Sequence, residues 1–352
     1  MSKLKVLCLN SLTDGPALSL SGSKAMLAAL TNLLRGKGLL ERVDLGNCNV
    51  KELSSDDDFK KRMMNADVVI AHPDVFQYCP SVLFSSELSL KLLQIIYAGC
   101  NQLLKALADN NATLPYPVAR MGGSFGPHMA EYVVGQVIGF ERHFPKIIGK
   151  QIADRDNLWN IRDLGYRRLR DLTIGILGLG DIGREIAKYC KFLGMTVWGM
   201  TRTPVPKEKR LSCVDQYRQL GELEELLSAS DYVCNVLPST PETAGLLDKD
   251  GFKSCAEKKP VFINIGRGDI VKESTIVEAI KNKWLSGAAL DVFNEEPLPL
   301  TSELWGLDNV VITPHMAALT MTDELAELVC EQIERCLSGK PLLYMIDVKR
   351  GY

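Results

Sequence analysis

Short apolar runs alternate along the chain with longer segments in which apolar residues repeat at helical spacing. In the N-terminal third, this pattern predicts strands at residues 5–9, 66–71 and 94–97. It also predicts a helix over residues 22–35 and the end of a helix over residues 88–93. Because short buried strands interleaved with helices are typical of parallel sheets, we expect an α/β fold.

A long apolar-rich segment, from residue 126 to about residue 144, predicts a single helix. We expect Pro145 to stop this helix, because proline lacks the backbone N–H that a helix interior needs. Pro117, Gly122 and Gly123 precede the segment, and such residues are typical of domain boundaries. A domain boundary is therefore predicted in this region.

A second series of strands and helices begins at Leu172. The predicted strands are residues 174–177, 197–200, 232–236, 261–264, 288–291 and 310–313, and the predicted helices include residues 182–192 and 275–282. This repetition is typical of a doubly wound parallel sheet. A last helix over residues 323–338 is expected to pack back on the first domain, because the chain ends soon afterwards.

Composition and charge describe a soluble globular protein. The 352 residues are enough for two domains, with 46% hydrophobic and 24% charged residues. A formal net charge of −2 argues against a dedicated binder of nucleic acid or anionic membranes. No apolar run reaches membrane length, so we expect a cytoplasmic protein without a membrane or nucleic-acid partner.

The ten cysteines do not suggest a disulfide framework or a metal site, because no two of them form a C-x-x-C pair. Six of them lie inside apolar runs, and we expect these to be buried free thiols in a reducing compartment: Cys8, Cys100, Cys190, Cys234, Cys330 and Cys336.

The motif Gly-Leu-Gly-Asp-Ile-Gly joins a predicted strand to a predicted helix, which is the context of a dinucleotide-binding loop. Gly178 would allow the tight turn, Gly180 the approach of the pyrophosphate, and Gly183 the close packing of helix and strand. Asp181 and Ile182 would open the helix, whose N-terminal N–H groups attract phosphates. A glycine-rich turn without a ligand is the alternative interpretation.

The end of the next strand bears on which dinucleotide binds. An NAD enzyme usually carries an acid there for the ribose 2′-hydroxyl, but residues 195–207 contain none. They contain Thr201, Arg202 and Thr203 instead, and Arg202 is suited to a 2′-phosphate and to stacking on adenine. We therefore expect NADP(H) to be preferred and NAD(H) to be possible. The alternative is that Arg202 is an ordinary solvated arginine.

Three further charged groups follow predicted strands, and they can meet because ligands bind beyond the carboxyl ends of parallel strands. Arg267 offers a planar fork for a carboxylate, and His315 can donate a proton. One of Glu295 and Glu296 could orient the histidine. Each has an ordinary alternative, as a salt-bridge partner, a turn cap or a solvated acidic pair. Together they suit the reduction of a 2-oxo acid.

In these motifs, and over nearly its whole length, the chain resembles the D-isomer-specific 2-hydroxyacid dehydrogenase family. It is most similar to the glyoxylate/hydroxypyruvate reductase A branch, through residues 129–133, 297–299, 317–320 and 350–352. The resemblance implies that Arg267 binds substrate, that His315 is the acid/base, and that Glu296, which directly precedes a proline, is its partner. It also implies cofactor contacts from Leu237, Pro238, Thr243, Ile265, Arg267, Asp291 and His315, with Asp291 at the nicotinamide carboxamide.

The resemblance further implies a Rossmann cofactor domain, residues 118–317, inserted in a flavodoxin-like substrate domain formed by residues 1–117 and 318–352. The backbone of Ala98, Gly99 and Cys100 would contact the substrate carboxylate, whereas Arg120 and His128 receive no role. A homodimer built largely through the cofactor domains is expected.

The function that follows is NADP(H)-dependent reduction of small 2-oxo acids, of the glyoxylate and hydroxypyruvate type, to D-2-hydroxy acids. One alternative is a reductase of larger or aromatic 2-oxo acids. Another is a cofactor-sensing regulatory protein of the same fold, similar to a corepressor. The complete set of Arg267, Glu296 and His315, and the lack of docking extensions, favour an enzyme.

Overall fold

Two separate parallel sheets organise the chain in the computed structural model. The model describes residues 2–10, 20–49, 55–153, 159, 164–248 and 251–351. Contacts within the chain divide it into two units, one formed by Met1–Ser124 with Leu319–Tyr352 and the other by Phe125–Ala318. We call them the terminal unit and the central unit.

The terminal unit contains the smaller sheet, whose strands are β1 Leu4–Asn10, β2 Val43–Asn49, β3 Val68–Ala71, β4 Leu92–Ile95 and β5 Val118–Ala119. They pair in parallel in the order β2-β1-β3-β4-β5, which is the flavodoxin-like order. All residues of β3 and β4 are buried, which explains why they are apolar apart from Gln94, whose side chain is hydrogen-bonded. The predicted strands at 5–9, 66–71 and 94–97 correspond to β1, β3 and β4.

The helices of the terminal unit are α1 Leu20–Gly36, α2 Asp56–Met64, α3 Val75–Tyr78, α4 Pro80–Leu83, α5 Asn101–Asp109 and α11 Thr322–Ser338. As predicted, the last helix returns to the N-terminal part of the chain, where α11 packs against α1. At the end of α1, Lys37 Nζ donates to Glu334 Oε2 of α11 at 2.7 Å.

The central unit contains seven strands, β6 Thr173–Leu177, β7 Thr196–Met200, β8 Gln216–Arg218, β9 Tyr232–Asn235, β10 Val261–Asn264, β11 Gly287–Leu290 and β12 Val310–Ile312. Their order, β12-β11-β10-β9-β6-β7-β8, has the reversal next to the first strand that defines the Rossmann fold. The prediction of two doubly wound parallel sheets is confirmed. The edge strand β8 was not predicted, because it is only three residues long and none of them is fully buried.

The helices of the central unit are α6 Phe125–Glu141, α7 Phe144–Ala153, α8 Asp181–Phe192, α9 Leu223–Ala229 and α10 Glu273–Lys281. The prediction of a single helix over residues 126–144 is wrong about where that helix ends. The chain leaves α6 at Glu141, His143 adopts a φ of +56°, and α7 begins at Phe144. Pro145 thus occupies the first turn of a new helix, where its missing N–H removes no helical hydrogen bond.

The predicted helical end over residues 88–93 is also wrong. Residues 88–90 form no helix, and β4 already begins at Leu92. Leu88 and Leu90 are buried whereas Ser89 and Lys91 are exposed, so this segment follows the two-residue period of an extended chain. Four leucines within six residues are compatible with a helix and with an extended chain, and the observed burial shows that the chain is extended.

The ten cysteines are free thiols. Burial is as expected for five of the six that lie in apolar runs, whereas Cys336 is partly exposed. In the part of the chain that the structure describes, no helix combines the length and apolar character needed to cross a bilayer.

Candidate active site

The glycine motif forms the turn from β6 into α8, and its glycines meet different surroundings. Gly178 has a φ of +106°, which strongly favours glycine. An added Cβ at Gly183 would lie 1.9 Å from the carbonyl oxygen of Gly178, so only glycine allows this packing of helix on strand. At Gly180 an added Cβ would meet nothing within 4 Å. The loop therefore packs tightly against the protein at Gly183 and faces open space at Gly180.

The open side of this loop is the N-terminus of α8, a helix of twelve residues that begins with Asp181 and Ile182. The first N–H groups of a helix have no partner within the helix, and the helix dipole places partial positive charge there. A pyrophosphate needs such donors and space for its oxygens. The residues at this turn fit the phosphate groups of a dinucleotide.

Thr201, Arg202 and Thr203 follow β7, the strand next to β6. Thr201 Oγ1 donates to the carbonyl of Thr203 at 2.9 Å, which shapes the turn. The half-exposed Arg202 side chain lies with Nη2 3.5 Å from Oε2 of Glu242. Glu242 belongs to the loop after β9, so an acid reaches this position from elsewhere in the chain. Residues 195–207 carry no signal for this acid, because Glu242 is distant from them in sequence.

The loop after β9 contains Leu237, Pro238 and Thr243. Thr243 Oγ1 donates to the carbonyl of Pro238 at 2.6 Å and accepts from the backbone N–H of Thr240 at 2.9 Å. These bonds close the loop into a compact turn beside the glycine motif, where Leu237 faces Gly178. Their contact with a cofactor stays a prediction.

Two buried asparagines, neither of which had a predicted role, join the loops. Asn235 and Asn264 end β9 and β10, and Asn235 Nδ2 donates to Asn264 Oδ1 at 2.9 Å. Asn264 Nδ2 donates to the carbonyl of Arg267 at 3.1 Å, and Asn235 Oδ1 accepts from the N–H of Leu237 at 3.1 Å. The available signal was a polar residue ending each of two otherwise apolar strands.

Arg267 and Ile265 follow β10 in the loop that Asn264 holds. Ile265 is buried in the core, so only its backbone is available to a ligand. The Arg267 guanidinium is partly buried, and its Nη1 donates to the carbonyl of Gly266 at 2.6 Å. This places a fixed cation at the carboxyl end of the sheet.

The structure brings Glu296 and His315 together. Glu296 Oε2 lies 2.8 Å from His315 Nδ1, while Glu296 Oε1 accepts from the N–H of Phe293 at 2.9 Å. Glu296, and not its neighbour Glu295, is thus within hydrogen-bond distance of the histidine. Nδ1 is occupied by the carboxylate, so Nε2 is the ring nitrogen left for substrate chemistry.

The pair shifts both protonation equilibria towards the charged forms. The hydrogen bond that His315 donates to Glu296, together with the negative charge of Glu296, raises the pKa of His315 against the opposing effects of burial and of Arg267. Burial raises the pKa of Glu296, but the bonds from His315 and Phe293 and the charges of His315 and Arg267 outweigh it and lower that pKa. An imidazolium beside a carboxylate is therefore favoured.

Asp291 follows β11 and is fully buried. Its Oδ1 accepts from Thr313 Oγ1 at 2.6 Å and from the N–H of Met316 at 2.8 Å, and its Oδ2 accepts from the N–H of Ala317 at 2.9 Å. Both carboxylate oxygens thus bind the loop that carries His315. The nicotinamide contact expected for Asp291 stays a prediction.

In the terminal unit, Ala98, Gly99 and Cys100 lie between β4 and the start of α5. The buried thiol of Cys100 donates to the carbonyl of Gly351 at 3.3 Å, so this side chain binds its own unit. Only backbone groups of this turn remain for a substrate, and that role stays a prediction.

Within the central unit, the loops after β10, β11 and β12 therefore carry a fixed guanidinium, a carboxylate–imidazole pair and a buried aspartate. A guanidinium can hold a carboxylate, and the imidazole can exchange a proton with a carbonyl or hydroxyl oxygen. Within the described ranges, no His, Cys, Asp and Glu side chains gather into a group of three or more that could hold a metal ion.

Comparison with known proteins identifies relatives with the same organisation. Residues 134–317 match the model of the family described as D-isomer specific 2-hydroxyacid dehydrogenase, NAD binding domain. Glyoxylate/hydroxypyruvate reductase A of Klebsiella pneumoniae (strain 342) is 32% identical over 278 residues, which are 78% of this chain and 85% of that protein. The enzyme of the same name from Photorhabdus laumondii is 31% identical over 276 residues, with the same shares of both chains.

Two solved structures extend this similarity over the full length. A D-isomer specific 2-hydroxyacid dehydrogenase from Xanthobacter autotrophicus Py2, in complex with NADPH and MES, has a TM-score of 0.78 at 28% identity and covers 100% of both chains. An NADPH-dependent glyoxylate/hydroxypyruvate reductase from Sinorhizobium meliloti, in complex with NADP and sulfate, has a TM-score of 0.75 at 27% identity. The match covers 99% of this chain and 100% of that one.

Proposed function

Since the chain belongs to the D-isomer-specific 2-hydroxyacid dehydrogenase family, we propose that it reduces small 2-oxo acids, of the glyoxylate and hydroxypyruvate type, with NADPH. It is an enzyme of that family and uses NAD(P). The observation that carries the proposal is the 2.8 Å contact between Glu296 and His315, in a site where the charge of Arg267 also acts on both residues. The names of the relatives supply the substrate class.

Arg267 binds the substrate carboxylate in this proposal. Its guanidinium is planar and permanently charged, so it can form two parallel hydrogen bonds to a carboxylate. The bond from Asn264 Nδ2 to the Arg267 carbonyl and the bond from Arg267 Nη1 to Gly266 fix its backbone and direction. A substrate held in this way presents its neighbouring carbonyl in one orientation, which is an entropic contribution to the rate.

His315 is the proton donor in reduction and the acceptor in oxidation. The bound nicotinamide supplies or accepts the hydride. His315 Nε2 delivers the proton to the carbonyl oxygen, and Glu296 holds the ring through Nδ1 and stabilises its positive charge. This proton turns the carbonyl oxygen into the hydroxyl of the product and neutralises the negative charge that hydride addition would otherwise leave on that oxygen.

Arg202 gives the preference for NADPH, with Thr201 and Thr203 shaping its turn. A hydrogen bond to a charged group is worth roughly 1.5–3 kcal/mol, which is about tenfold to a hundredfold in affinity. Glu242 reduces this preference, because its carboxylate lies 3.5 Å from the guanidinium that would receive the 2′-phosphate. NADH remains a weaker cofactor.

The remaining parts of the proposal concern organisation. The cofactor domain expected over residues 118–317 is the central unit, and the substrate domain expected over residues 1–117 and 318–352 is the terminal unit. Residues 118–124 then belong to the substrate domain, because β5 pairs with β4 of the smaller sheet. The homodimer expected from the family has support in α7, where Phe144, Ile148 and Ile152 expose their side chains at intervals of four residues, on one face of the helix. Light scattering after size-exclusion chromatography tests the dimer. The cytoplasmic location expected from the sequence is also part of the proposal, and cell fractionation tests it.

The test of the function is NADPH oxidation by the purified protein, followed by absorbance, with glyoxylate, hydroxypyruvate, pyruvate and phenylpyruvate. We expect turnover of glyoxylate and hydroxypyruvate with NADPH and slower turnover with NADH. Preference for phenylpyruvate would replace the small substrates by aromatic ones. Tight NADPH binding without turnover of any 2-oxo acid would contradict the reductase proposal and favour a cofactor-sensing protein.

A further inference from the structure

A chain of hydrogen bonds lies behind the His315 loop and takes no part in the chemistry described above. Tyr132 lies on α6, and its hydroxyl oxygen is 2.7 Å from Thr313 Oγ1. Thr313 Oγ1 is 2.6 Å from Asp291 Oδ1, and the Asp291 carboxylate binds the two backbone N–H groups that follow His315. The bonds thus run from a helix to both sides of the histidine.

The direction of each bond follows from what the groups can donate. A carboxylate only accepts, so the single hydroxyl hydrogen of Thr313 points to Asp291. Thr313 Oγ1 can then only accept from Tyr132, whose hydroxyl is the donor. Burial raises the pKa of Tyr132 to about 12, although the hydrogen bonds it shares with Thr313 and Gln136 act in the opposite direction, so the hydroxyl keeps its hydrogen at ordinary pH. The order is Tyr132 to Thr313 to Asp291.

The loop needs such support because His315 has an unfavourable backbone conformation. Its φ is +53°, in the left-handed region that non-glycine residues rarely adopt. Its N–H donates to the carbonyl of Asp291 at 2.9 Å. Backbone strain of this kind persists only where the surroundings hold it in place. Asp291 binds residues on both sides of the strained position, with its carbonyl and with both carboxylate oxygens.

We propose that Tyr132 is a positioning residue for the acid/base histidine, which it holds against Glu296 through Thr313 and Asp291. The inference rests on the proposed function, because His315 is an acid/base group only in that reaction. It assigns to α6 a role in the reaction that the sequence motif around Tyr132 did not suggest.

The charged groups around the His315 ring make its position measurable. Glu296 raises the pKa of His315 by hydrogen bond and by charge, Asp291 raises it by charge, and Arg267 lowers it. A hydrogen bond depends more steeply on distance and angle than the charges do. A displaced loop therefore loses mainly the Glu296 contribution, and the pKa of His315 falls.

The experiment compares Tyr132→Phe with Thr313→Val, which keep size and remove one hydroxyl each. We expect kcat for 2-oxo acid reduction to fall about twofold to tenfold in Tyr132→Phe, as loss of one hydrogen bond gives. The fall should be larger in Thr313→Val, which also breaks the bond to Asp291. The KM for NADPH should be unchanged, and Thr313→Ser, which restores the hydroxyl, should recover activity.

The second readout is the titration of His315 by NMR, which needs no substrate. The chain has only four histidines, so His315 is assigned from the spectrum of a His315→Ala variant. Its pKa should fall in Tyr132→Phe and in Thr313→Val. If the wild type reduces no 2-oxo acid, the proposed function fails, whereas the titration still decides whether Tyr132 positions the ring.

The matched control is Tyr232→Phe. Tyr232 is buried, and its hydroxyl donates to Glu141 Oε1 of α6 at 2.7 Å, so this variant loses a bond to the same helix without touching the His315 loop. We expect a similar loss of thermal stability with wild-type kcat and His315 titration. Equal losses of kcat in both tyrosine variants, or an unchanged titration in Tyr132→Phe and Thr313→Val, would overturn the inference.

Discussion

Two residues of the candidate site have their ionisation set by each other. Glu296 and His315 share one hydrogen bond of 2.8 Å, and each shifts the pKa of the other towards its charged form. Because reduction consumes a proton, it needs protonated His315. Reduction should therefore reach its full rate at pH values below the His315 pKa, and the rate should fall as the pH rises through that pKa.

Glu296→Gln should move that loss of activity to lower pH, because it removes the largest cause of the raised pKa. The reverse reaction needs neutral His315, so its activity should extend to lower pH in the same variant. The measurement is kcat/KM against pH in both directions. His315→Ala is the reference, with a loss of about a hundredfold or more and unchanged NADPH affinity. Coincident profiles of wild type and Glu296→Gln would contradict the pairing.

Arg202→Asp should reverse the cofactor preference, since it replaces a partner of the 2′-phosphate by a group that repels it. We expect NADPH affinity to fall about tenfold to a hundredfold and NADH affinity to change little. Glu242→Gln should do the opposite and strengthen NADPH binding, because it removes the carboxylate 3.5 Å from Arg202. Fluorescence titration with both cofactors measures this. An unchanged ratio in Arg202→Asp would remove Arg202 from cofactor recognition.

At the scale of elements, the turn from β6 into α8 contains one glycine that the packing of the fold requires and another that faces the expected cofactor site. An added Cβ at Gly183 would collide with the carbonyl oxygen of Gly178, whereas an added Cβ at Gly180 would meet open space. The same chemical change at two positions three residues apart should therefore have different effects.

Gly183→Ala should lower the free energy of unfolding by about 1–3 kcal/mol, as overpacking does. Gly180→Ala should keep the wild-type stability but weaken NADPH binding, because its methyl group enters the space that the pyrophosphate needs. Gly135→Ala on α6, also in open space, is the control for a glycine change without ligand contact. Denaturant unfolding and NADPH titration are the measurements. Full NADPH affinity in Gly180→Ala would place the phosphates elsewhere.

Elements were predictable where one period dominates the sequence. The strands from β6 to β12, apart from β8, were placed within one or two residues, because each is a short run made mainly of apolar residues. The break between α6 and α7 was not, since both helices are apolar and Pro145 suits a helix start as well as a helix end. The edge strand β2 escaped detection because it contains Gly46, Asn47 and Asn49.

For the whole molecule, NADPH should stabilise the unit that binds it. At a concentration about one hundred times its Kd, a ligand of the folded state raises the free energy of unfolding by about 2.7 kcal/mol. We expect calorimetry to show a higher unfolding temperature for the central unit with NADPH, and a smaller rise in Arg202→Asp. An equal rise in Gly180→Ala would contradict phosphate binding at the glycine motif.

The sequence by itself determined most strands of the central unit, the glycine turn, and the positions of Arg267 and His315 after their strands. These features depend on residues close together in the chain, whose spacing the sequence displays directly. Only the tertiary structure decided the Asn235–Asn264 bond, the approach of Glu242 to Arg202, and the support of the His315 loop by Tyr132. Each of these joins residues far apart in sequence, and contacts of that kind exist only once the sheet has brought its loops to one edge.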